Sequence, residues 1–121
     1  PGLATRDGAL WATFGVMGGF MQPQGHLQVI SAMIDDELNP QEALDRPRWC
    51  LTTGEAGSVL ALEDGIGFKT ASALAALGHQ VRPVSGQARA LFGSGQIIRR
   101  DGAGVLYGGS DPRKDGLVAG Y

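Results

Sequence analysis

The sequence predicts an α+β domain, an antiparallel sheet with helices packed on one face. Three observations carry this. Segments that alternate apolar and polar residues flank two Asp-Gly pairs, Asp7-Gly8 and Asp101-Gly102. Between them lie stretches with helical spacing and helix-start chemistry. Glycine is abundant, 20 of 121 residues, and is dispersed as turn punctuation rather than as a linker.

Leu3–Thr5 and Ala9–Val16 read as a hairpin around Arg6-Asp7-Gly8, because a type I′ turn needs positive φ at both central residues. Met17-Gly18-Gly19-Phe20 is a sharp corner. A helix is expected from about Pro23 to Asp36 or Glu37, burying Leu27, Ile30 and Ile34 with Val29 and Met33 widening the stripe. Asn39-Pro40-Gln41-Glu42 is a capping signature, and Pro47 stops that short helix. Arg48–Leu51 and Ser58–Glu63 read as strands. Asp64-Gly65 opens a second long helix with Phe68, Ala71, Leu74 and Ala75 on one face and Gly78 at its left-handed end. Gln80–Val84 resumes a strand. Gly95–Arg100 and Ala103–Tyr107 form a hairpin around Asp101-Gly102, and Gly108–Gly116 is a turn-rich tail. The strands number about six, in a single domain over residues 1–121.

Composition bounds the function. The net charge is −2, without the basic excess of a nucleic-acid binder. No apolar run reaches the ~18 residues of a membrane helix, no signal-peptide pattern is read, and no membrane partner is expected. Arg99-Arg100 and Arg113-Lys114 sit beside aspartates and read as solvated surface. The one cysteine, Cys50, reads as a small buried hydrophobe. The two histidines, His26 and His79, make no metal-binding spacing, so neither a metal nor another cofactor is expected.

The chemistry centres on Gly18-Gly19. Adjacent glycines between a strand and a helix can expose backbone N–H groups that stabilise a developing oxyanion. By itself such a pair is more often only a tight turn. His26 stands alone on its helix, and Asp35-Asp36-Glu37 reads as a solvated helix end. Asp64 and Asp111 read as turn or cap residues. No Gly-x-Ser-x-Gly motif is present, and no nucleophile–base pair emerges from the residues.

Four separated motifs occur in one order: Gly18–Val29, Leu38–Asp45 with Pro47-Arg48-Trp49, Leu77-Gly78-His79 with Val81, and Gly109–Gly116 with Gly120-Tyr121. Together, over roughly residues 10 to 121, they resemble the C-terminal part of the small chain of γ-glutamyltransferase-family proteins. The resemblance implies an αββα N-terminal-nucleophile hydrolase sandwich. It implies a catalytic Thr at the start of the small chain, upstream of Pro1, and Gly18 and Gly19 as the oxyanion hole, with Gly19 and Met17 touching substrate. The paired serines that help hold a substrate carboxylate also fall before Pro1. The implied partners are the large chain, the N-terminal part of the small chain, a γ-glutamyl substrate and a second copy in a homodimer. Val16-Met17-Gly18-Gly19 with Gln22-Pro23-Gln24-Gly25-His26 resembles the acylase-like branch. Two alternatives stand beside a γ-glutamyltransferase fragment: a cephalosporin or glutaryl-amide acylase, and a non-catalytic interaction domain.

Overall fold

A computed structural model describes residues 1–53 and 55–120. Among the described residues, seven strands form two sheets. The larger has the order β1-β2-β6-β7, from Gly2–Arg6, Ala9–Met17, Ser94–Arg100 and Leu106–Ser110. The smaller has the order β3-β4-β5, from Trp49–Leu51, Leu60–Glu63 and Val81–Val84. Helices α1 (Met21–Ile34) and α2 (Pro40–Asp45) lie on the larger sheet, and α3 (Phe68–Ala76) connects β4 to β5. All pairs are antiparallel except β4–β5, which is parallel because α3 carries the chain back across the sheet.

The first turn is as the sequence predicts, with Asp7 at φ 53° and Gly8 at φ 76°. Strand alternation then breaks at a bulge. Ala4 faces Ala12 and Thr5 faces Leu10, which leaves Trp11 as the extra residue. Trp11 and Ala12 are consequently both buried although adjacent. The guanidinium carbons of Arg6 and Arg99 stand 4.8 and 5.4 Å from the Trp11 ring centre.

Helix α1 begins at Met21, two residues before the expected start, and buries only part of the expected stripe, with Ile30 half-buried against the core. Met21, Gly25, Val29, Ala32 and Met33 are buried, whereas Leu27 and Ile34 are 56% and 48% exposed. Gly25 decides the rotation. A Cβ there would stand 2.6 Å from Val16 Cγ1, so its bare backbone is what lets the helix settle onto β2.

The capping box on α2 is complete. Asn39 Oδ1 accepts from Glu42 N at 3.0 Å, and Glu42 Oε2 accepts from Asn39 N at 2.9 Å. Helix α3 starts at Phe68 rather than at Asp64-Gly65, and none of its residues is fully buried; of the expected face, Ala71 and Leu74 are half-buried while Phe68 and Ala75 are exposed. Its end is a Schellman motif. His79 N donates to Leu74 O at 3.2 Å and Gly78 N to Ala75 O at 2.9 Å, with Gly78 at φ 95°. A 3₁₀ segment, Gly86–Phe92, was not anticipated.

The last hairpin differs from expectation. Asp101 accepts from Ala103 N and Val105 N through its carboxylate, at 2.9 and 2.8 Å, and Gly104 takes the positive φ of 90°. This side-chain-closed loop replaces a two-residue turn and moves the returning strand on to Leu106–Ser110.

Candidate functional site

The strand–helix corner is built by glycines that follow β2 and one that precedes β6. Chain β2 ends at Met17; Gly18 and Gly19 follow at φ 149° and 59°, and α1 begins at Met21. A Cβ on Gly18 would lie 3.1 Å from Gly93 Cα and 3.2 Å from Met21 Cβ, while one on Gly19 would meet open space. Gly93, at φ 76°, is pressed in turn against the Met17 carbonyl. The corner carbonyls are used: Gly18 O accepts from Met21 N and Gly19 O from Gln22 N, both at 3.0 Å. The N–H groups of Gly18, Gly19 and Phe20 have no acceptor among the described residues. They lie at the positive end of a 14-residue helix. Gly19 at φ 59° and Phe20 at φ −59° alternate in hand, as successive residues do where backbone N–H groups form an anion-binding concavity. The corner therefore presents free donors suited to a negative oxygen.

Beside it opens a cleft of about 460 Å³. Gly15 and Met17 from β2, Gln22 and His26 from α1, and Ser94 and Gln96 from β6 line it. No carboxylate, lysine or arginine is among the described residues that line it. Ser94 Oγ is buried there with no hydrogen-bond partner among them. His26 meets the Phe14 ring edge-on, with centroids 5.5 Å apart at 77°. Burial pushes its pKa below the usual histidine value, which favours the neutral imidazole. The structure thus brings Met17 and His26 to one cleft beside Gly18-Gly19.

Two glutamines fix the helix that carries this corner. Gln24 accepts from Leu51 N at 2.7 Å and donates to Leu51 O at 3.1 Å. One helical turn on, Gln28 accepts from Trp49 N and donates to Trp49 O, both at 3.0 Å. Residues i and i+4 of α1 thereby pair with residues j and j+2 of β3, as a neighbouring strand would. The Gln-Pro-Gln-Gly-His run has a division of labour: Gln22 and His26 face the cleft, Gln24 reaches β3, and Gly25 touches β2.

A buried ion cluster ties the two sheets together. Arg48 Nη1 stands 2.8 Å from Asp111 Oδ2, and Arg113 Nη1 is 3.0 Å from Asp111 Oδ1. Arg113 also pairs with Glu63, as does Arg89. Gly95 N donates to Asp111 Oδ2 at 2.6 Å, and Arg48 N to Glu63 Oε2 at 2.8 Å. Arg113 further donates to Leu44 O and Arg46 O, both at 2.9 Å, closing the C-terminal end of α2. Burial alone would raise the pKa of both carboxyl groups. The Arg48 charge and the donors from Arg113 and Gly95 hold Asp111 below the ordinary carboxylate range, and the donors from Arg113, Arg89 and Arg48 N do the same for Glu63.

Arg113 is thus interior, not the solvated surface expected of Arg113-Lys114, and Asp111 is more than a turn residue. No periodic signal marks them, because both lie in the turn after β7. The partners meet only when residues 48, 63, 89 and 113 are folded together.

The other candidates lie elsewhere. Asp35 caps α1, Asp36 pairs with Arg46 at the surface, and Glu37 turns the chain at φ 57°. His79 is exposed at the end of α3. Cys50 is buried and its thiol is pushed up by desolvation, although a hydrogen bond from Gln24 opposes this. No group of three His, Cys, Asp or Glu arranged to hold a metal occurs among the described residues.

Comparison with known proteins agrees with the ordered motifs. The family described as Gamma-glutamyltranspeptidase matches residues 1–121. The chain is 36% identical over 122 residues to the "Glutathione hydrolase-like YwrD proenzyme" of Bacillus subtilis, covering 99% of this chain and 23% of that protein. It is 36% identical over 110 residues to the "Oxamate amidohydrolase proenzyme" of Klebsiella pneumoniae, covering 89% of this chain and 21% of that protein. The crystal structure of cephalosporin acylase from Bacillus halodurans superposes with a TM-score of 0.87 at 47% identity, over 97% of this chain and 21% of that one. The chain therefore spans between a fifth and a quarter of the length of these relatives. The fold is that of N-terminal-nucleophile hydrolases of this group, and the chain belongs to the γ-glutamyltranspeptidase family.

Proposed function

We propose that this chain supplies the oxyanion-binding corner of an amide-cleaving acyltransferase that moves γ-glutamyl groups from glutathione-like amides to water or an amino acid. The observation that carries the reading is the set of N–H groups on Gly18 and Gly19 that find no acceptor among the described residues at the start of α1. In such a reaction a nucleophile adds to the amide carbonyl, and its oxygen becomes negative. Two backbone donors fixed in place stabilise that charge without reorganising, and the loss of one typically costs ~3 kcal/mol of transition-state stabilisation. The nucleophile is assigned to a Thr outside this chain, whose own amine takes the proton. The residues here hold the oxyanion and wall the acyl group. The 121 residues alone are expected to be inactive.

A second reading, an acylase for glutaryl-type amides, is favoured by one feature. Among the described residues that line the cleft with Met17, none offers a carboxylate to an α-ammonium group. The two separate on paired substrates. The full-length protein is assayed with γ-glutamyl- and glutaryl-p-nitroanilide, which differ only in the α-amine. A higher kcat/KM for the first supports γ-glutamyl transfer, and the reverse supports the acylase. Turnover of neither overturns both.

A further inference from the structure

Helix α1 begins without the usual cap. Its N-cap residue is Phe20, which makes no side-chain capping hydrogen bond. A Ser, Thr, Asp or Asn there would accept from the first N–H groups of the helix and so occupy them. The corner closes on itself only through Met21 N to Gly18 O and Gln22 N to Gly19 O. The rest of its support comes from outside. Gly93 is pressed against the Met17 carbonyl. Met21, 1% exposed, is seated in a core with Cys50, Ala61, Val84 and Phe92. Gln24 adds a polar brace. Its Nε2 donates to Phe20 O at 2.9 Å and to Leu51 O at 3.1 Å, and its Oε1 accepts from Leu51 N at 2.7 Å. One side-chain amide thus joins the last carbonyl of the corner to both backbone groups of a residue in β3. Because Gln24 grips a carbonyl, the corner is held while the N–H groups of Gly18 and Gly19 stay without an acceptor among the described residues.

We propose that Gln24 is a positioning residue for the reaction, fixing the oxyanion-binding corner against the smaller sheet so that its donors stand where the charge develops. Gln24 is not among the residues that line the cleft, so it acts through the corner and not on the substrate. The corner needs such a brace. Glycine takes positive and negative φ about equally, so two adjacent glycines do not hold their own geometry. Donors to an oxyanion work only over a narrow range of distance, and a misplacement of ~1 Å can cost ~10²-fold in rate. Gln28, one helical turn on, is the natural comparison. It makes the same pair of bonds to Trp49 and a further one to Gln24 O at 3.0 Å, but its hydrogen bonds reach no residue of the corner. The two glutamines therefore share a structural task, and Gln24 alone has the catalytic one. The smaller sheet gains a function as the floor on which the corner is set. This role rests on the function proposed above for Gly18 and Gly19.

The test is a kinetic double-mutant cycle in the full-length protein, on whichever anilide it cleaves. Gln24→Met, Gln28→Met, Gly18→Ala and Gln24→Met/Gly18→Ala are compared at a temperature where circular dichroism shows each to be folded. Gln24→Met should lower kcat by about 10–10² with KM within about twofold of the parent. Gln28→Met loses an equivalent pair of strand bonds and should keep kcat within about threefold. In the double variant the loss should fall short of the product of the two single losses, because both act through one corner. Gln24→Glu keeps an acceptor for Leu51 N but not the donor to Phe20 O. It should show the same loss of kcat, and it takes the place of Gln24→Met if that variant does not fold. Equal losses at Gln24 and Gln28 overturn the proposal, as does a fully multiplicative double variant. A loss of less than about tenfold at Gln24 beside an impaired Gly18→Ala overturns it while leaving the oxyanion assignment in place. An unimpaired Gly18→Ala removes that assignment, and the role of Gln24 falls with it.

Discussion

Arg48 and Asp111 are 63 residues apart in sequence and form an ion pair of 2.8 Å with both side chains almost wholly excluded from solvent. The pair sits where the end of the larger sheet meets the smaller one. Such a pair is not by itself a large stabilising term, because both ions give up their hydration. Its consequence is asymmetric: removing one partner leaves the other charged and buried.

Arg48→Met should therefore destabilise the full-length protein by up to about 3–5 kcal/mol, because the buried Asp111 keeps Arg113 but loses one of its two guanidinium partners. Arg48→Met combined with Asp111→Leu should recover part of that loss. Denaturant unfolding of the single and double variants measures it. Equal stability of Arg48→Met and the unsubstituted protein would show that the cluster is not fully desolvated in the assembled enzyme.

Acid sensitivity follows from the same cluster. Asp111 and Glu63 have folded-state pKa values below their unfolded ones. Their stabilising contribution is thus complete above the ordinary carboxylate pKa and is lost as pH falls through the depressed folded values. Melting temperature should be level near neutrality and drop on acidification below about pH 4, where unfolded carboxylates begin to take up protons. Asp111→Asn should flatten the drop while lowering stability at pH 7.

The glutamine ladder has its own signature. Gln24→Glu keeps the size of the side chain but cannot donate to Leu51 O, so it should cost roughly 1–3 kcal/mol by leaving a strand group unpaired and setting a carboxylate against a carbonyl. Gln28→Glu should behave alike at Trp49. Unfolding midpoints check both.

Packing at Gly25 separates fold from chemistry. Gly25→Ala should destabilise by about 1–3 kcal/mol, because its methyl group collides with Val16. Val16→Ala in the same protein should relieve part of the strain, giving non-additive stabilities in a double-mutant cycle. Purely additive losses would indicate that α1 lies farther from β2.

Cys50 should be chemically quiet. Burial disfavours its thiolate. Native protein at neutral pH should resist iodoacetamide at this residue, and Cys50→Ala should leave turnover intact.

How far the sequence discloses this molecule depends on the range of the interaction. The Asp7-Gly8 turn, the Asn39–Glu42 capping box and the Gly78 helix end are legible because each is closed by residues within a few positions. The turn at Gly18-Gly19 is legible for the same reason, closed by Met21 N and Gln22 N, whereas its packing against Gly93 is not. The buried face of α1 is legible only in part: Val29, Met33 and Ile30 turn inward as expected, but Gly25 sets the rotation through a contact with Val16 on another element and leaves Leu27 and Ile34 outside. Asp101-Gly102 misleads because the aspartate spends its side chain on closing the loop. Arg113 is misread as surface, and Asp111 as a turn residue only, because the tertiary fold alone brings Arg48 and Glu63 to them. The pairing of Gln24 and Gln28 with β3 leaves a readable trace, two glutamines at helical spacing, but no sequence feature names their acceptor.

The most direct test of the proposed function is steady-state kinetics of Gly18→Ala and Gly19→Ala in the full-length protein, on whichever anilide it cleaves. A methyl group at Gly18 meets Gly93 and Met21 and must displace the corner, whereas at Gly19 it meets open space and adds only backbone strain. The account predicts that Gly18→Ala lowers kcat by about 10²–10³ with little change in KM, the pattern of a lost transition-state donor, and that Gly19→Ala loses far less. Unchanged kcat in a folded Gly18→Ala protein, or a defect confined to KM, would contradict the assignment of this corner to the oxyanion.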